Sequence, residues 1–281
     1  MHVAMSPPDF FSVDYVINPW MDPDSWHQKA NQLEHDAVTG WQALKATYER
    51  LGATVHIEPA IQGLPDLVFT ANAAVVLDGT VVLARYRFHE RQGEEPHNTA
   101  FFEGLLQQGV VERIESMPEG VFFEGAGDAI WDPTRRLFWT GYGPRSSLEA
   151  SAVITRVFGR ETRPLRLIDP RFYHLDTCLC VLPGGEALYY PPAFDAAGLE
   201  ALSSGFGPDR LIPVPDEDAR KLAANAFPAT RHEVVFGHCG PFITRELARR
   251  GYRVYPTDLG SFARSGGSAF CLTLRLDARS G

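Results

Sequence analysis

Four short polar strings in the chain of 281 residues combine ionisable or nucleophilic side chains with small neighbours. They are Pro65-Asp66-Leu67-Val68-Phe69-Thr70-Ala71-Asn72, Phe123-Glu124-Gly125-Ala126-Gly127-Asp128, His174-Leu175-Asp176-Thr177 and Ser265-Gly266-Gly267-Ser268-Ala269-Phe270-Cys271. They supply a thiol, an imidazole, an amide and several carboxylates. A cysteine with a histidine elsewhere in the chain is a candidate nucleophile and base. A free thiol ionises near pH ~8.5, and neighbouring acids push that value up. Such a thiol among acids makes chemical sense when the substrate is itself a cation. A planar guanidinium presents five donors in a fixed fork that suits paired carboxylates and an amide. Read singly, each residue has a structural alternative. Cys271 would be a buried apolar residue, His174 a hydrogen-bonded core residue, Asp66 a strand terminator and Asn72 a turn former. Only the arrangement carries the chemical reading.

Other chemistries lack their motifs. There is no G-x-S-x-G elbow, Walker loop or H-E-x-x-H, and Gly125-Ala126-Gly127 lacks the third glycine of a dinucleotide loop. Cys178, Cys180, Cys239, His174 and His238 could be imagined as zinc ligands. Cys178 and Cys180 alternate in an apolar stretch and share one face, so they read as buried structural thiols, with no metal expected.

The polar strings stand beside hairpin patterns. Ala73–Leu77 and Thr80–Ala84 flank Asp78-Gly79, a strong hairpin turn. About fifty residues on, Ala129–Trp131 and Arg136–Thr140 flank Asp132-Pro133. Thr177–Leu182 and Glu186–Tyr190 then flank Pro183-Gly184-Gly185. Helical stretches follow at Thr99–Gln108, Ser147–Phe158, Ala196–Ser203 and Phe242–Arg250, the last after a strand at His232–Phe236. Earlier, Ala30, Leu33, Ala37, Trp41, Leu44, Tyr48 and Leu51 form a helical stripe, and Ala53–Ile57 reads as a strand. A final strand is expected at Leu272–Leu276. The repeat of roughly fifty residues predicts an α/β array of about five like units, drawn as a single domain over 1–281. In a radial array the loops beside the hairpins converge, which is where a ligand would sit.

Composition narrows the partners. Lys plus Arg number 26 against 35 Asp plus Glu, a formal charge of -9, with no basic cluster. That argues against nucleic acid and anionic membranes. Four cysteines are too sparse for a disulfide scaffold. The N-terminal residues lack the basic-then-apolar pattern of a secretory leader, so a cytoplasmic location is expected. A small-molecule partner is predicted, and homo-oligomerisation is left open.

Phe-Glu-Gly-Ala-Gly-Asp, His-Leu-Asp-Thr and Gly-Gly-Ser-Ala-Phe-Cys resemble the motifs of the guanidino-group-modifying, or pentein, superfamily of arginine deiminases, dimethylarginine dimethylaminohydrolases and amidinotransferases. The resemblance runs from Asn18 to Cys271, in family order. It implies a five-unit αβ propeller and a cofactor-free reaction. By motif, Cys271 would be the nucleophile, His174 the general acid/base, and Glu124 the carboxylate that orients His174 or holds the guanidinium. Asp176 matches the acid that grips the guanidinium in deiminases, and dimethylargininases generally lack it. Asn72 stands where deiminases carry an acid, and with Asn18 in Ile17-Asn18-Pro19-Trp20-Met21 it resembles the arginine dihydrolases. An amide can donate to the carbonyl of a neutral ureido product, which would allow a second hydrolysis. Arg87 (or the competing Arg85) and Arg145 would meet the substrate carboxylate. Asp66 would contact the α-amino group or guanidinium, and Asp128 is a binding or structural residue. The implied activity is arginine dihydrolase or deiminase. The alternatives are a dimethylargininase, an amidinotransferase and a non-catalytic arginine-binding protein. The stretch Arg85 to His97 is polar enough to be a loop, and whether one closes over the site is left open.

Overall fold

The computed structural model describes residues 1–281. Its fifteen strands make five three-stranded sheets of one pattern. β1 (His2–Met5) and β2 (Thr54–Ile57) begin the chain, and β3 (Ala74–Leu77), β4 (Thr80–Leu83) and β5 (Arg113–Glu115) form the next sheet. β6 (Ala129–Asp132), β7 (Leu137–Tyr142) and β8 (Thr162–Arg166) follow, then β9 (Leu179–Val181), β10 (Ala187–Tyr189) and β11 (Leu211–Pro213). β12 (Phe227–Pro228), β13 (Glu233–Phe236) and β14 (Arg253–Pro256) form the fourth of these sets. β15 (Leu274–Arg275) returns to pair with β1, so the two ends of the chain share a sheet.

In every sheet the middle strand is antiparallel to the strand on one side and parallel to the strand on the other. A parallel pair cannot be joined by a tight turn and needs a crossover. Helices Ala30–Arg50, Glu95–Gln107, Ala150–Phe158, Ala196–Phe206 and Pro241–Arg249 supply the five crossovers. The predicted helical stripe is the buried one: Leu33, Ala37, Trp41, Leu44 and Tyr48 face the core, each large apolar side chain contributing roughly 1.5–3 kcal/mol. Asp78 and Gly79 both take positive φ, 50° and 75°, the backbone that a two-residue hairpin turn demands.

Residues from β3, β6, β9, β12 and β15, one strand of each sheet, line a single cavity of about 380 Å³. Two features go beyond the expectations from sequence. The fourth unit has a hairpin too, hidden because its first strand is only Phe227–Pro228 and ends in a proline that lacks a ladder donor. The stretch 85–97 is no open loop: helices His89–Gln92 and Glu95–Gln107 occupy most of it, and Arg91 and Glu94 are buried. No helix is long and apolar enough to cross a membrane.

Candidate active site

Three of the four polar strings fold as a tight turn feeding the first strand of a hairpin, and the fourth feeds β15, which pairs with β1. Thr70–Asn72, Gly125–Gly127 and Leu175–Thr177 are single 3₁₀ turns ahead of β3, β6 and β9. A common register results. Three residues before the strand stand Ala71, Ala126, Asp176, Ala224 and Cys271; five before it stand Phe69, Glu124, His174, Leu222 and Ala269. Two before it, Asn72 and Asn225 occupy the same place in different units. The turns pack closely. Gly125, at φ 63°, lies where a Cβ would come within 2.6–2.8 Å of the carbonyl oxygens of Ala71, Asn72 and Ala74. Gly127 leaves the space into which Asn72 Nδ2 points.

Two buried groups of residues meet there. In the first, the Cys271 thiol donates to Asp176 Oδ2 at 3.0 Å and accepts from Asn225 Nδ2 at 3.1 Å. In the second, His174 Nε2 contacts Glu124 Oε2 at 2.7 Å, and Arg145 Nη1 donates to the same oxygen at 2.8 Å. Asn72 Nδ2 lies 3.5 Å from His174 Nδ1, the acceptor nitrogen when Nε2–H faces Glu124. Asp176 follows His174 by two residues, and Ala71 N donates to Cys271 O at 3.1 Å, which joins the two groups.

Burial and charge set the protonation states. Burial drives the Glu124 carboxyl upward, but Arg145, His174 and Arg91 outweigh it and hold it well below the usual carboxylate range. Glu124 is therefore an anion at any working pH, able to orient His174. Burial raises Asp176 to about 7, opposed by its contacts with Cys271 and Asn225. Burial, followed by the charge of Asp176, pushes the Cys271 thiol well above its ordinary value. Asp128 is raised by burial to about 6. Two carboxylate oxygens in the site, Glu124 Oε1 and Asp176 Oδ1, are buried without a hydrogen-bond partner, and so is Arg145 Nε. Leaving such atoms unpaired costs free energy; the two carboxylate oxygens can accept from a donor-rich partner, and Arg145 Nε can donate to an acceptor.

The remaining expected residues have distinct surroundings. Asp66 is buried and accepts from Tyr15 Oη at 2.9 Å and Ser265 Oγ at 3.3 Å. Asp128 accepts from Ser146 Oγ at 2.6 Å and Leu175 N at 3.0 Å, which ties the second turn to the third, and lies 4.0 Å from His174 Nε2. Asn18 is a clip: Nδ2 donates to Ser265 O at 3.0 Å and Oδ1 accepts from Trp20 N at 2.9 Å. Arg145 is buried between Phe88 and Tyr173 and also donates to Ile17 O at 3.3 Å. Arg85 and Arg87 donate to the carbonyls of Met117 and Arg145, and neither bonds to Cys271, His174, Glu124, Asp176 or Asn72.

Sequence reasoning missed two residues. Arg91 is buried, forks onto Glu94 with two bonds of 2.8 Å, and donates to Asn72 Oδ1 at 2.9 Å. It fixes which end of the Asn72 amide faces His174. Its signal was weak, one arginine among several in a polar stretch. Asn225 precedes its hairpin by the same two residues as Asn72, a signal masked in the sequence by the two-residue strand that ends in Pro228. The imagined zinc ligands are dispersed, with Cys178 and Cys180 buried in the core and His238 on Asp218. No group of three His, Cys, Asp or Glu side chains is arranged to hold a metal ion.

Comparison with known proteins places this geometry in a family. The model described as N,N dimethylarginine dimethylhydrolase, eukaryotic, matches residues 16–276. The chain is 42% identical over 276 residues to the bifunctional arginine dihydrolase/ornithine cyclodeaminase ArgZ of Synechocystis sp., covering 98% of this chain and 38% of that protein. It is 38% identical over 273 residues to the N(G),N(G)-dimethylarginine dimethylaminohydrolase of Mycobacterium tuberculosis, covering 97% and 85%. The crystal structure of the N-terminal domain of ArgZ bound to substrate superposes with a TM-score of 0.91 at 40% identity, over 100% of this chain and 99% of that one. The chain spans about two-fifths of the length of the bifunctional relatives it matches. By these matches the chain belongs to the dimethylarginine dimethylaminohydrolase family of the guanidino-group-modifying (pentein) superfamily.

Proposed function

We propose that this protein is an amidinohydrolase with a cysteine nucleophile that takes arginine through two hydrolyses to ornithine, carbon dioxide and two ammonia. The observation that carries the reading is the pair of partnerless buried carboxylate oxygens, on Glu124 and Asp176, flanking a thiol and an imidazole. A guanidinium supplies the donors those oxygens lack, and its charge favours ionisation of Asp176 and Cys271 together. The relatives add support. ArgZ is named an arginine dihydrolase, a variant of its N-terminal domain was solved covalently bonded to a reaction intermediate, and AgrE was solved with L-arginine.

The chemistry balances without a cofactor. Cys271 Sγ bonds to the guanidinium carbon, and the thiol proton, relayed by His174, leaves on the departing nitrogen as ammonia. The S-amidino enzyme keeps the positive charge beside Glu124 and Asp176. Water activated by His174 then breaks the C–S bond and yields a ureido compound, the free thiol and a proton. In the second round Cys271 attacks the ureido carbon and expels the second ammonia. A second water releases the carbamate, which falls to ornithine and carbon dioxide. Asn72 is the residue assigned to hold the neutral ureido oxygen, its amide oriented by Arg91. Arg145, through its unpaired Nε, is the nearer candidate for the substrate carboxylate, Arg85 and Arg87 being the more distant ones, and Asp66 is assigned to the α-amino group. Asn18 closes the N-terminal segment over the site, and Asp128 holds the turns of Glu124 and His174 in register.

The five sheets are read as a closed five-unit αβ propeller forming one catalytic domain; the cavity lined by one strand of each sheet supports that reading. A second activity, dimethylarginine hydrolysis, is favoured by the family model. Against it, a methylated nitrogen would turn apolar groups toward the buried, unpaired Asp176 Oδ1. The test is to incubate the protein with L-arginine and count ammonia per substrate consumed, beside Cys271→Ala. Two ammonia with ornithine support the dihydrolase, and one with citrulline supports a deiminase. Turnover of dimethylarginine alone moves the assignment to the second activity, while amidino transfer to an added amine would mark a transferase. Arginine binding without turnover would leave a binding protein. Activity surviving in Cys271→Ala refutes the mechanism.

A further inference from the structure

We propose that Asn225 is a catalytic residue of this site: its side-chain amide donates to the Cys271 sulfur and sustains the thiolate, while its carbonyl fixes the backbone that presents that sulfur. The inference rests on Cys271 being the nucleophile. No motif points to Asn225; its geometry does. Its side chain is fully buried and all of its capacity facing the nucleophile is spent there. Nδ2 donates to Cys271 Sγ at 3.1 Å and to Asp176 O at 3.0 Å. Oδ1 accepts from Cys271 N at 3.2 Å and Ser268 N at 2.9 Å, and its backbone carbonyl accepts from Phe270 N at 3.2 Å.

The sulfur otherwise stands in hostile surroundings. It is buried against the Asp176 carboxyl, and both conditions disfavour a thiolate. Arg145 and Arg91 are committed to Glu124, Glu94 and Asn72, and neither donates to Cys271. Among side chains, the Asn225 amide is the one that donates a hydrogen bond to the sulfur. Its contact acts to lower both Cys271 and Asp176, against the burial that raises them. A hydrogen bond to a charged atom is stronger than one to a neutral atom, so the amide favours the thiolate over the thiol. Asn225 stands at the same offset before β12 as Asn72 before β3. The same slot thus directs one amide at the imidazole and another at the thiol.

The two roles of Asn225 predict opposite results when it is removed. In Asn225→Ala, loss of a thiolate donor lowers the rate at which Cys271 sulfur displaces iodide from iodoacetamide. A bond of this type corresponds to roughly ten- to a hundredfold in thiolate population. A merely structural role would loosen the Ser268–Cys271 backbone, admit water, and bring the thiol down toward its ordinary value, so alkylation would speed up. The experiment follows alkylation of the Cys271 peptide by mass spectrometry between pH 7 and 10 in the full chain, Asn225→Ala and Asn225→Ser, with thermal unfolding of each. A tenfold or larger slowing at pH 8.5 in Ala, with partial recovery in Ser whose hydroxyl can donate, is the expected result. An unchanged or faster rate in folded Asn225→Ala, or a rate in folded Asn225→Ser above that of the unaltered chain, overturns the proposal. Turnover of arginine measured alongside separates the two levels. Slowed alkylation in a protein that turns over no guanidino compound would refute the proposed function and leave the role of Asn225 toward the thiol intact.

Discussion

Replacing Asp176 by Asn should make this protein more stable as the pH rises, relative to the unaltered chain, while removing its activity. In the fold Asp176 ionises at about 7, against about 3.9 in an unfolded chain. The native state keeps a proton that the unfolded state has already released between those values. Its contribution to stability is therefore greatest below about pH 4, declines as the pH rises to about 7, and then levels off at a deficit of about 4 kcal/mol. Between pH 5 and pH 8 the decline amounts to about 2.5 kcal/mol. An amide has no proton to lose, and its oxygen can still accept from the Cys271 thiol. Asp128 and Glu124 titrate in both proteins, so their effects cancel in the difference. Urea unfolding at pH 5 and pH 8, with a shared slope, measures it. Asp176→Asn should gain on the unaltered protein by up to about 2.5 kcal/mol between the two pH values, with turnover of arginine down by about a hundredfold or more. A stability difference equal at both pH values would show that Asp176 is already ionised in the empty site. The argument that a cationic substrate drives its ionisation would then fail.

Glu124→Gln leaves Arg145 buried without its anion and should cost about 3–5 kcal/mol. Since the folded carboxyl sits far below its unfolded value, the stability it supplies is complete above about pH 4.5 and is lost as the pH falls toward the folded value; a loss that is equally large at pH 2 would contradict the pairing. Asn72→Asp should keep the first hydrolysis and lose the second, with ammonia per arginine falling from two to one and citrulline accumulating; continued release of two ammonia would remove Asn72 from its assigned role. Arg91→Lys keeps a charge beside Glu94 but not the planar fork onto Glu94 and Asn72. It should lower turnover about tenfold or more with a smaller change in stability than Arg91→Ala, and turnover in Arg91→Lys equal to that of the unaltered protein would show the fork to be unimportant. Asn18→Ala unclips the N-terminal segment from Ser265 O and should raise KM more than it lowers kcat; an unchanged KM would refute the clip.

Hairpins announced themselves through turn chemistry and crossover helices through their apolar stripes, so the repeat was legible wherever those signals were strong. Apart from β2, the parallel outer strands were not. β5, β8, β11 and β14 are short, partly exposed and set by pairing with their neighbours, and β1 is a four-residue strand placed by β2 and β15. Residue types likewise marked Cys271, His174, Glu124 and Asp176 as chemistry, and the fold brings their turns together. Which arginine does what was illegible, because a guanidinium reaches far and its partner is fixed only by packing. Arg91 lies beside Asn72 because the helix His89–Gln92 turns it inward, whereas Arg85 and Arg87, nearer the hairpin in sequence, spend their donors on Met117 and Arg145 carbonyls.

The shared offset of the five turns bears on how such a chain changes its chemistry over time. Three of the five positions that stand three residues before a strand are alanines, Ala71, Ala126 and Ala224, while the other two are Asp176 and Cys271. An alanine is a vacancy in the functional alphabet but a complete residue in the scaffold, since the turn's hydrogen bonds are made by the backbone. One substitution can then add, remove or relocate an acid at constant depth in the molecule without altering the backbone of the turn, the demand being the burial of its charge. Divergence in reaction type would require few steps, and sequences sharing this architecture should differ in what they hydrolyse or transfer far sooner than in how they fold.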